Sequence, residues 1–328
     1  MIFLKKPLII LTGPTAVGKT KLSISLAKAV NGAIISADSM QVYRHMDIGS
    51  AKIRPEEMCG VPHYLIDVLD PSEEFHVVKF VELAHEAMEK IYAAGQIPIV
   101  TGGTGFYIQA LLKEVDFTES HGELPIRKQL EEKAATEEGA AELYRELSEV
   151  DPASAETIHP NNVKRVIRAL EYYHETGQKI SEHNEEQKQK ESPYCSAYFV
   201  LNDERSILYD RIDRRVDQMI RDGLVEEVFR LKEMGYTRDL VSMQGLGYKE
   251  LFPYLAGECT LEEGVYIIKR DTRHFAKRQL TWFRREKNVI WLNKPDFDYD
   301  EEKILSYMLD RWNEIVSADV KEEGEQSC

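Results

Sequence analysis

Residues 13–20 read Gly-Pro-Thr-Ala-Val-Gly-Lys-Thr, a full match to the pattern G-x-x-x-x-G-K-[ST], and they sit between an apolar run at Leu8–Leu11 and a helical pattern over Lys19–Val30. Two glycines let a backbone curl so that successive amide N–H groups and the start of the following helix face one anion. The candidate phosphate-binding set is therefore Gly13, Pro14, Thr15, Ala16, Val17, Gly18, Lys19 and Thr20, with Lys19 adding a point charge and Thr20 as a Mg²⁺ ligand. A strand, this loop and a helix in succession commit the N-terminal part of the chain to a helix-covered parallel sheet that binds a phosphate ester.

The chain has 328 residues, 43% hydrophobic and 30% charged, with a mean hydropathy of −0.41. That is the composition of an ordinary soluble enzyme and not of a disordered chain. No stretch approaches the roughly 18 apolar residues of a membrane span, and the short apolar run after Lys5 and Lys6 suits a first strand better than a signal peptide. Cys59, Cys195, Cys259 and Cys328 are scattered without a Cys-x-x-Cys pair, and the nine histidines show no zinc-ligand spacing. A reducing cytoplasm is the expected compartment.

A formal charge of −15 argues at first against a polyanionic partner. Its distribution removes the objection. Residues 114–160 carry 13 acidic against 4 basic residues and residues 294–328 carry 11 against 4, which leaves the rest of the chain at +1. Within that rest, residues 268–287 hold eight Lys or Arg against two acids, and Lys164, Arg165 and Arg168 form a second basic knot.

Strand-like runs at Leu8–Leu11, Ala33–Ser36, Tyr64–Val68 and Ile97–Thr101 alternate with helical patterns at Lys19–Val30 and Val77–Ala94, the latter stopped by Gly95. From about 115 to 195 the β-branched runs give way to Glu, Lys, Ala, Gln and Leu, the composition of surface helices. A strand returns at Ala197–Leu201, followed by one amphipathic helix from about Ser206 to Met234 and a late strand at Val289–Leu292. The expected organisation is a first core part at 1–113, an all-helical insertion at 114–196, a second core part with C-terminal helices at 197–316, and a disordered acidic tail at 317–328.

Which phosphate ester binds is a separate matter. No apolar strand ends in an obvious Walker-B aspartate followed by motor-type motifs, which argues against a motor ATPase and for a small transferase. The run 33–37 leads straight into Asp38-Ser39-Met40-Gln41, placing a carboxylate where open α/β sheets bind substrates. A lone aspartate there also serves as a turn former or helix cap. Gln41 beside it offers a donor and an acceptor, which suits an adenine edge.

These residues resemble the bacterial-type tRNA dimethylallyltransferases, also called tRNA isopentenyltransferases. The similarity is carried by GPTAVGKT (13–20), ISADSMQVYR (35–44), PHYLIDVLDP (62–71), TGGTGFY (101–107), HPNNVKRVIRALE (159–171), RRVDQMIRDGLVEEV (214–228), QGLGYKE (244–250) and TRHFAKRQLTWFR (272–284). Tyr64, Phe275 and Lys164 depart from the His, Tyr and Gln usual in that family.

The resemblance implies an α/β fold, a P-loop NTPase-like parallel sheet with a helical insertion. It also implies transfer of a dimethylallyl group from dimethylallyl diphosphate to N6 of the adenine at tRNA position 37. It assigns Asp38 as general base and Lys19, Thr20, Thr104 and Arg215 to catalysis, with Mg²⁺ as the cofactor. It assigns tRNA contact to Asp38, Ser39, Met40, Gln41, Thr104, Arg127, Lys164, Arg165, Val166, Ile167, Arg168, Gln244, Gly245, Leu246, Gly247, Tyr248 and Lys249. The partner is the anticodon stem-loop, no membrane is involved, and the enzyme is expected to act as a monomer. A base stacked in a loop must be extruded to reach such a site. Trp282 and Phe283, adjacent aromatics on an amphipathic helix, are expected to pack into the core.

Two other readings remain at this stage: a small-molecule kinase using ATP on the same loop, and a non-enzymatic RNA-binding module.

Overall fold

A computed structural model describes residues 5–115 and 125–326. The start of the expected insertion (116–124) and the last two residues of the expected tail lie outside them. The chain divides into two compact units, Met1–Leu112 with Pro193–Cys328, and Lys113–Ser192.

The larger unit is a six-stranded, all-parallel sheet of β1 (Lys6–Thr12), β2 (Gly32–Ala37), β3 (His63–Tyr64), β4 (Ile97–Gly102), β5 (Tyr194–Asn202) and β6 (Ile290–Asn293), in the order β3-β2-β4-β1-β5-β6. Parallel strands covered on both faces read as continuous apolar runs. Accordingly Leu8 and Ile10 of β1 enter one core layer while Ile9 and Leu11 enter the other, all fully buried. The first layer is closed by α2 (Val77–Ala93), α3 (Gly105–Leu112), α10 (Leu224–Glu233) and α11 (Leu251–Leu255), and Phe80 stacks on Tyr107 within it at 4.8 Å. The second is closed by α1 (Lys19–Val30) and α13 (Glu301–Gln326). The long helices α9 (Arg205–Arg221) and α12 (Leu261–Phe283) contribute buried residues to both layers, Ile212 and Val216 from α9 and Ile268 and Ala276 from α12. Thr260 and Glu263 form a reciprocal capping box that starts α12.

The smaller unit is helical: α4 (Pro125–Lys133), α5 (Glu137–Val150), α6 (Pro152–Thr157), α7 (Val163–Thr176) and α8 (Ile180–Gln189). Leu130, Leu143, Leu147, Val166, Ile167 and Leu170 form its own core. Asp151, almost wholly buried, accepts from Ser154 and Ser181 and so ties α6 to α8.

Three expectations are corrected. The strand at Tyr64–Val68 shrinks to two residues because Leu65 and Asp67 adopt φ of 63° and 55°, which no strand tolerates. The chain turns instead to hydrogen-bond Gln41 and Val42 through the amides of Asp67 and Val68. The single helix expected over 206–234 is two, broken where Gly223 takes φ 99° after α9. The tail expected to be disordered from Ser317 is helical to Gln326, continuing an α13 that is seeded by Ile304, Met308, Trp312 and Val316 against the sheet layer.

Candidate active site

Strand register sets the site. Thr12 pairs with Gly102 and Gly102 with Ala37, so the segments beginning at Gly13, Asp38 and Gly103 leave the same sheet edge at one level, at the carboxyl ends of three adjacent parallel strands. Gly13, Gly102 and Gly103 have no room for a methyl group: a Cβ would run into the carbonyl of Leu201, the carbonyl of Ala37 and the amide of Gln279 respectively. Gly102 thus lies backbone to backbone with Ala37 and Gly13 with Leu201, while Gly103 lies under the Gln279 side chain, and the three segments open into a cavity of about 650 Å³.

The phosphate loop forms as its sequence requires. Gly13 and Gly18 take φ of 146° and 105°, and Ala16 accepts the left-handed region at 63°. No side chain caps the start of α1 and its first turn holds no acid, so its free N–H groups remain available to an anion. The ammonium of Lys19 donates to the carbonyls of Gly13 (2.9 Å) and Pro14 (2.8 Å), folding back over its own loop. Burial, reinforced by the positive charge of Arg215 and opposed by Asp38, pushes Lys19 down to about 7. The cavity thus holds more positive charge than it can solvate, and an incoming anion relieves that imbalance.

Asp38 stands opposite. Its Oδ1 accepts the N–H of Met40 at 2.8 Å and that of Gln41 at 3.4 Å, so it does act as a turn former. Those contacts leave Oδ2 without a hydrogen bond among the described residues. Burial raises the carboxyl above its ordinary range, against the lowering by these amides and by Lys19. Thr104, also lining the cavity, holds the β2–β4 junction through its N–H to the carbonyl of Ala37. Arg215 lies at the opening of the cavity, and Ile212, Val216, Met219, Ile268 and Phe275 give one wall an apolar surface.

The expected tRNA-contact residues separate into groups. Asp38, Ser39, Met40, Gln41, Thr104, Gln244, Gly245, Leu246, Gly247 and Lys249 all line the cavity. The amide of Gln41 is engaged at both ends, accepting from Ser36 Oγ at 3.0 Å and donating to the carbonyls of Ser50 and Ala51 at 3.3 and 3.4 Å. In this state it fastens a loop instead of presenting a base-reading edge.

Tyr248 is a correction: it is fully buried and its hydroxyl donates to Glu227, so it supports the wall from behind. Val166 and Ile167 are corrections of the same kind. Helical spacing turns them into the core of the smaller unit, 1% and 5% exposed, while Lys164 and Arg165 stay on its surface. Arg168 and Arg127 both donate to Glu171, itself buried, at 3.0 and 3.4 Å, which offsets part of their charge.

Three residues escaped sequence reasoning as site residues. Gln279 lies within the family-like stretch 272–284, which by itself assigns it no role. From α12 it accepts the N–H of Thr15 (2.9 Å) and donates to the carbonyl of Gly103 (3.0 Å), bridging two segments of the site. Lys294, buried under the phosphate loop, donates to the carbonyl of Val17. Glu227 gathers the amides of Asp47, Ile48 and Gly49. The only sequence signal for any of them is a polar residue inside an otherwise apolar packing pattern.

In the basic run, Lys269 and Arg273 pair with Asp217 and Asp213 of α9, at 2.6 Å each. Lys277, Arg278 and Arg285 border a separate open hollow along α12. Phe283 is buried as expected, while Trp282 is partly buried and meets Phe106 edge-on.

Residues 41–286 match the sequence profile of the family described as IPP transferase, and residues 6–73 that described as isopentenyl transferase. The chain belongs to the IPP transferase family. It is 66% identical over 304 residues to the tRNA dimethylallyltransferase of Lachnoclostridium phytofermentans, covering 93% of this chain and 96% of that one. It is 51% identical to the enzyme of the same name from Acetivibrio thermocellus, over 92% and 96% of the two chains. The fold matches the tRNA isopentenylpyrophosphate transferase of Bacillus halodurans with a TM-score of 0.72 at 45% identity, covering 96% of this chain and 99% of that one. It also matches a eukaryotic dimethylallyltransferase acting on tRNA with a TM-score of 0.76 at 35% identity, over 88% and 74% of the two chains. These relatives are prenyl transferases; none of them is a kinase. Among the described residues no helix is long and apolar enough to cross a membrane.

Proposed function

We propose that this IPP transferase carries the dimethylallyl group of dimethylallyl diphosphate onto N6 of the adenine at tRNA position 37, releasing diphosphate. The carrying observation is the pairing, in one cavity, of a phosphate loop leading into an uncapped helix start with a half-buried aspartate whose Oδ2 has no hydrogen bond among the described residues. An ATP-dependent kinase would share the loop, but it gives no account of the apolar wall, which suits a five-carbon group.

The C1–O bond of the diphosphate breaks as N6 attacks C1, and the diphosphate leaves with both bonding electrons. The loop amides, Lys19 and Arg215 neutralise the charge that builds on that leaving group. In doing so Lys19 exchanges the carbonyls of Gly13 and Pro14 for phosphate oxygens, whose negative charge raises its lowered proton affinity. Asp38 accepts the N6 proton on Oδ2; the amides of Met40 and Gln41 hold it in place, and its raised affinity for protons makes it a better base than an exposed carboxylate. Thr104 borders the space for the extruded base.

Mg²⁺ fits this site. The hard-oxygen donor on hand is the Thr20 hydroxyl in the cavity lining, and no group of three or more His, Cys, Asp or Glu forms an all-protein cage among the described residues. That is the pattern for a Mg²⁺ held by one or two side chains together with substrate phosphates. When bound, the ion supplies charge neutralisation to the leaving group. The RNA partner is an anticodon stem-loop, with Lys164, Arg165 and Arg168 on its backbone.

The test is incubation with Mg²⁺, dimethylallyl diphosphate and unmodified anticodon stem-loop RNA, followed by nucleoside mass spectrometry. A five-carbon mass gain on one loop adenine is expected. Consumption of ATP on a small acceptor, with no transfer to RNA, would overturn the proposal.

A further inference from the structure

Glu227 of α10 is 1% exposed, and its carboxylate accepts four hydrogen bonds: from the amides of Asp47 (3.0 Å), Ile48 (2.8 Å) and Gly49 (3.1 Å), and from the hydroxyl of Tyr248 (2.7 Å). A buried carboxylate persists only with such compensation, and each donor fixes the segment that carries it. Both segments border the cavity, one through Gly49, Ser50 and Ala51 and the other through Gln244 to Gly247 and Lys249. They meet at Gly49, where a Cβ would lie 2.5 Å from the Tyr248 ring, and the second meets the Asp38 segment at Gly245, where a Cβ would lie 2.6 Å from the sulfur of Met40. Gln41 fastens the carbonyls of Ser50 and Ala51 to Ser36 at the end of β2, the strand that leads into Asp38. One buried anion therefore locks two loops, far apart in sequence, to the segment bearing the general base. It does so without touching the phosphate loop.

We infer that Glu227 is a positioning residue for the nucleobase side of the cavity: through Tyr248 and the 47–49 amides it presets the wall against which the extruded adenine sits. This rests on the function proposed above. The rigidity matters because a 1 Å misplacement of reacting groups costs on the order of 100-fold in rate. The phosphate side, built on Gly13–Thr20 and Gln279, should not feel the loss.

The test is steady-state kinetics on Tyr248→Phe and Glu227→Gln with stem-loop RNA and dimethylallyl diphosphate varied separately. Direct RNA binding by fluorescence anisotropy and melting temperatures are measured on the same preparations. Tyr248→Phe removes one hydroxyl and is chosen to stay folded if Glu227→Gln does not. The expected result is a KM for RNA raised on the order of tenfold, with a weaker RNA affinity to match and the KM for the diphosphate unchanged. A purely structural Glu227 would instead lower the melting temperature and the active fraction with both KM values unmoved, and that result overturns the inference. Wild-type transfer with no RNA-side effect in either variant sinks the inference alone. A wild type that binds RNA without prenylating it sinks the proposed reaction, and the anisotropy of the variants then decides the positioning role. A wild type that neither binds nor prenylates RNA sinks both.

Discussion

The side-chain carbonyl of Gln279 accepts the backbone N–H of Thr15 at 2.9 Å, which couples α12, the helix of the basic run, to the phosphate loop. Its amide donates to Gly103 at the same time, so one residue sets the spacing of two segments of the site. Replacing it by Leu leaves two backbone groups unpaired near the core, at about 1–3 kcal/mol each. The expected outcome is a lower denaturation midpoint together with a raised KM for dimethylallyl diphosphate.

Asp38→Asn retains an oxygen for the Met40 amide and removes the proton acceptor. Turnover should fall roughly 100-fold to 10,000-fold while RNA affinity is largely kept. Because burial raises the native carboxyl, the rate of the unaltered enzyme should decline as pH falls through that raised value, where the base becomes protonated. An unchanged kcat in Asp38→Asn would show that another group takes the proton.

Lys19 gives a second pH signature. Its native value near 7 lies below the ordinary 10.5 of an unfolded lysine, so between those limits the unfolded chain binds more protons than the folded one. Stability of the ligand-free protein from this group therefore rises as pH increases from about 7 toward 10.5, and the penalty of a buried cation is complete below 7. Diphosphate binding restores the charge. Calorimetry at pH 8 in two buffers of different ionisation enthalpy should record uptake of up to one proton on binding, fading toward pH 6.

Gly13→Ala is predicted to abolish diphosphate binding and to destabilise the fold. The new methyl meets the backbone carbonyl of Leu201, and φ 146° is strained for any L side chain. Gly60→Ala, at φ 80° with open space around it, is the control: it carries backbone strain alone and should leave binding intact. Calorimetric titration with the diphosphate compares the two.

On the smaller unit, Lys164→Ala and Arg165→Ala should each weaken stem-loop binding and flatten its salt dependence by about 0.7–0.9 in log–log slope, with no loss of stability. Ile167→Ala should do the opposite, lowering stability by about 2–5 kcal/mol and leaving the salt slope unchanged, because its side chain packs in the unit's core. Filter binding across a salt series and chemical denaturation separate the two outcomes.

The phosphate loop and the sheet were legible in the sequence because both are set by local chemistry: glycines that permit the curl, and uninterrupted apolar runs that only a doubly covered parallel strand can bury. Asp38 was legible for the same reason, since it follows a strand directly. The break at Gly223 and the turn at Leu65 and Asp67 were not, as each depends on a left-handed backbone that the surrounding packing selects. The direction of Val166, Ile167 and Tyr248 was likewise hidden inside runs chosen for their family likeness, where a motif names positions but not faces.

The order of residues alone thus determined that this chain builds a parallel sheet, curls Gly13–Thr20 around an anion and carries a carboxylate at the end of the next strand. Tertiary structure decided which distant polar groups hold that site together. Gln279, Glu227 and Lys294 lie 264, 180 and 277 positions along the chain from Thr15, Asp47 and Val17, whose backbone groups they bind. Such hydrogen bonds form only once folding has brought these groups together and burial has removed their water.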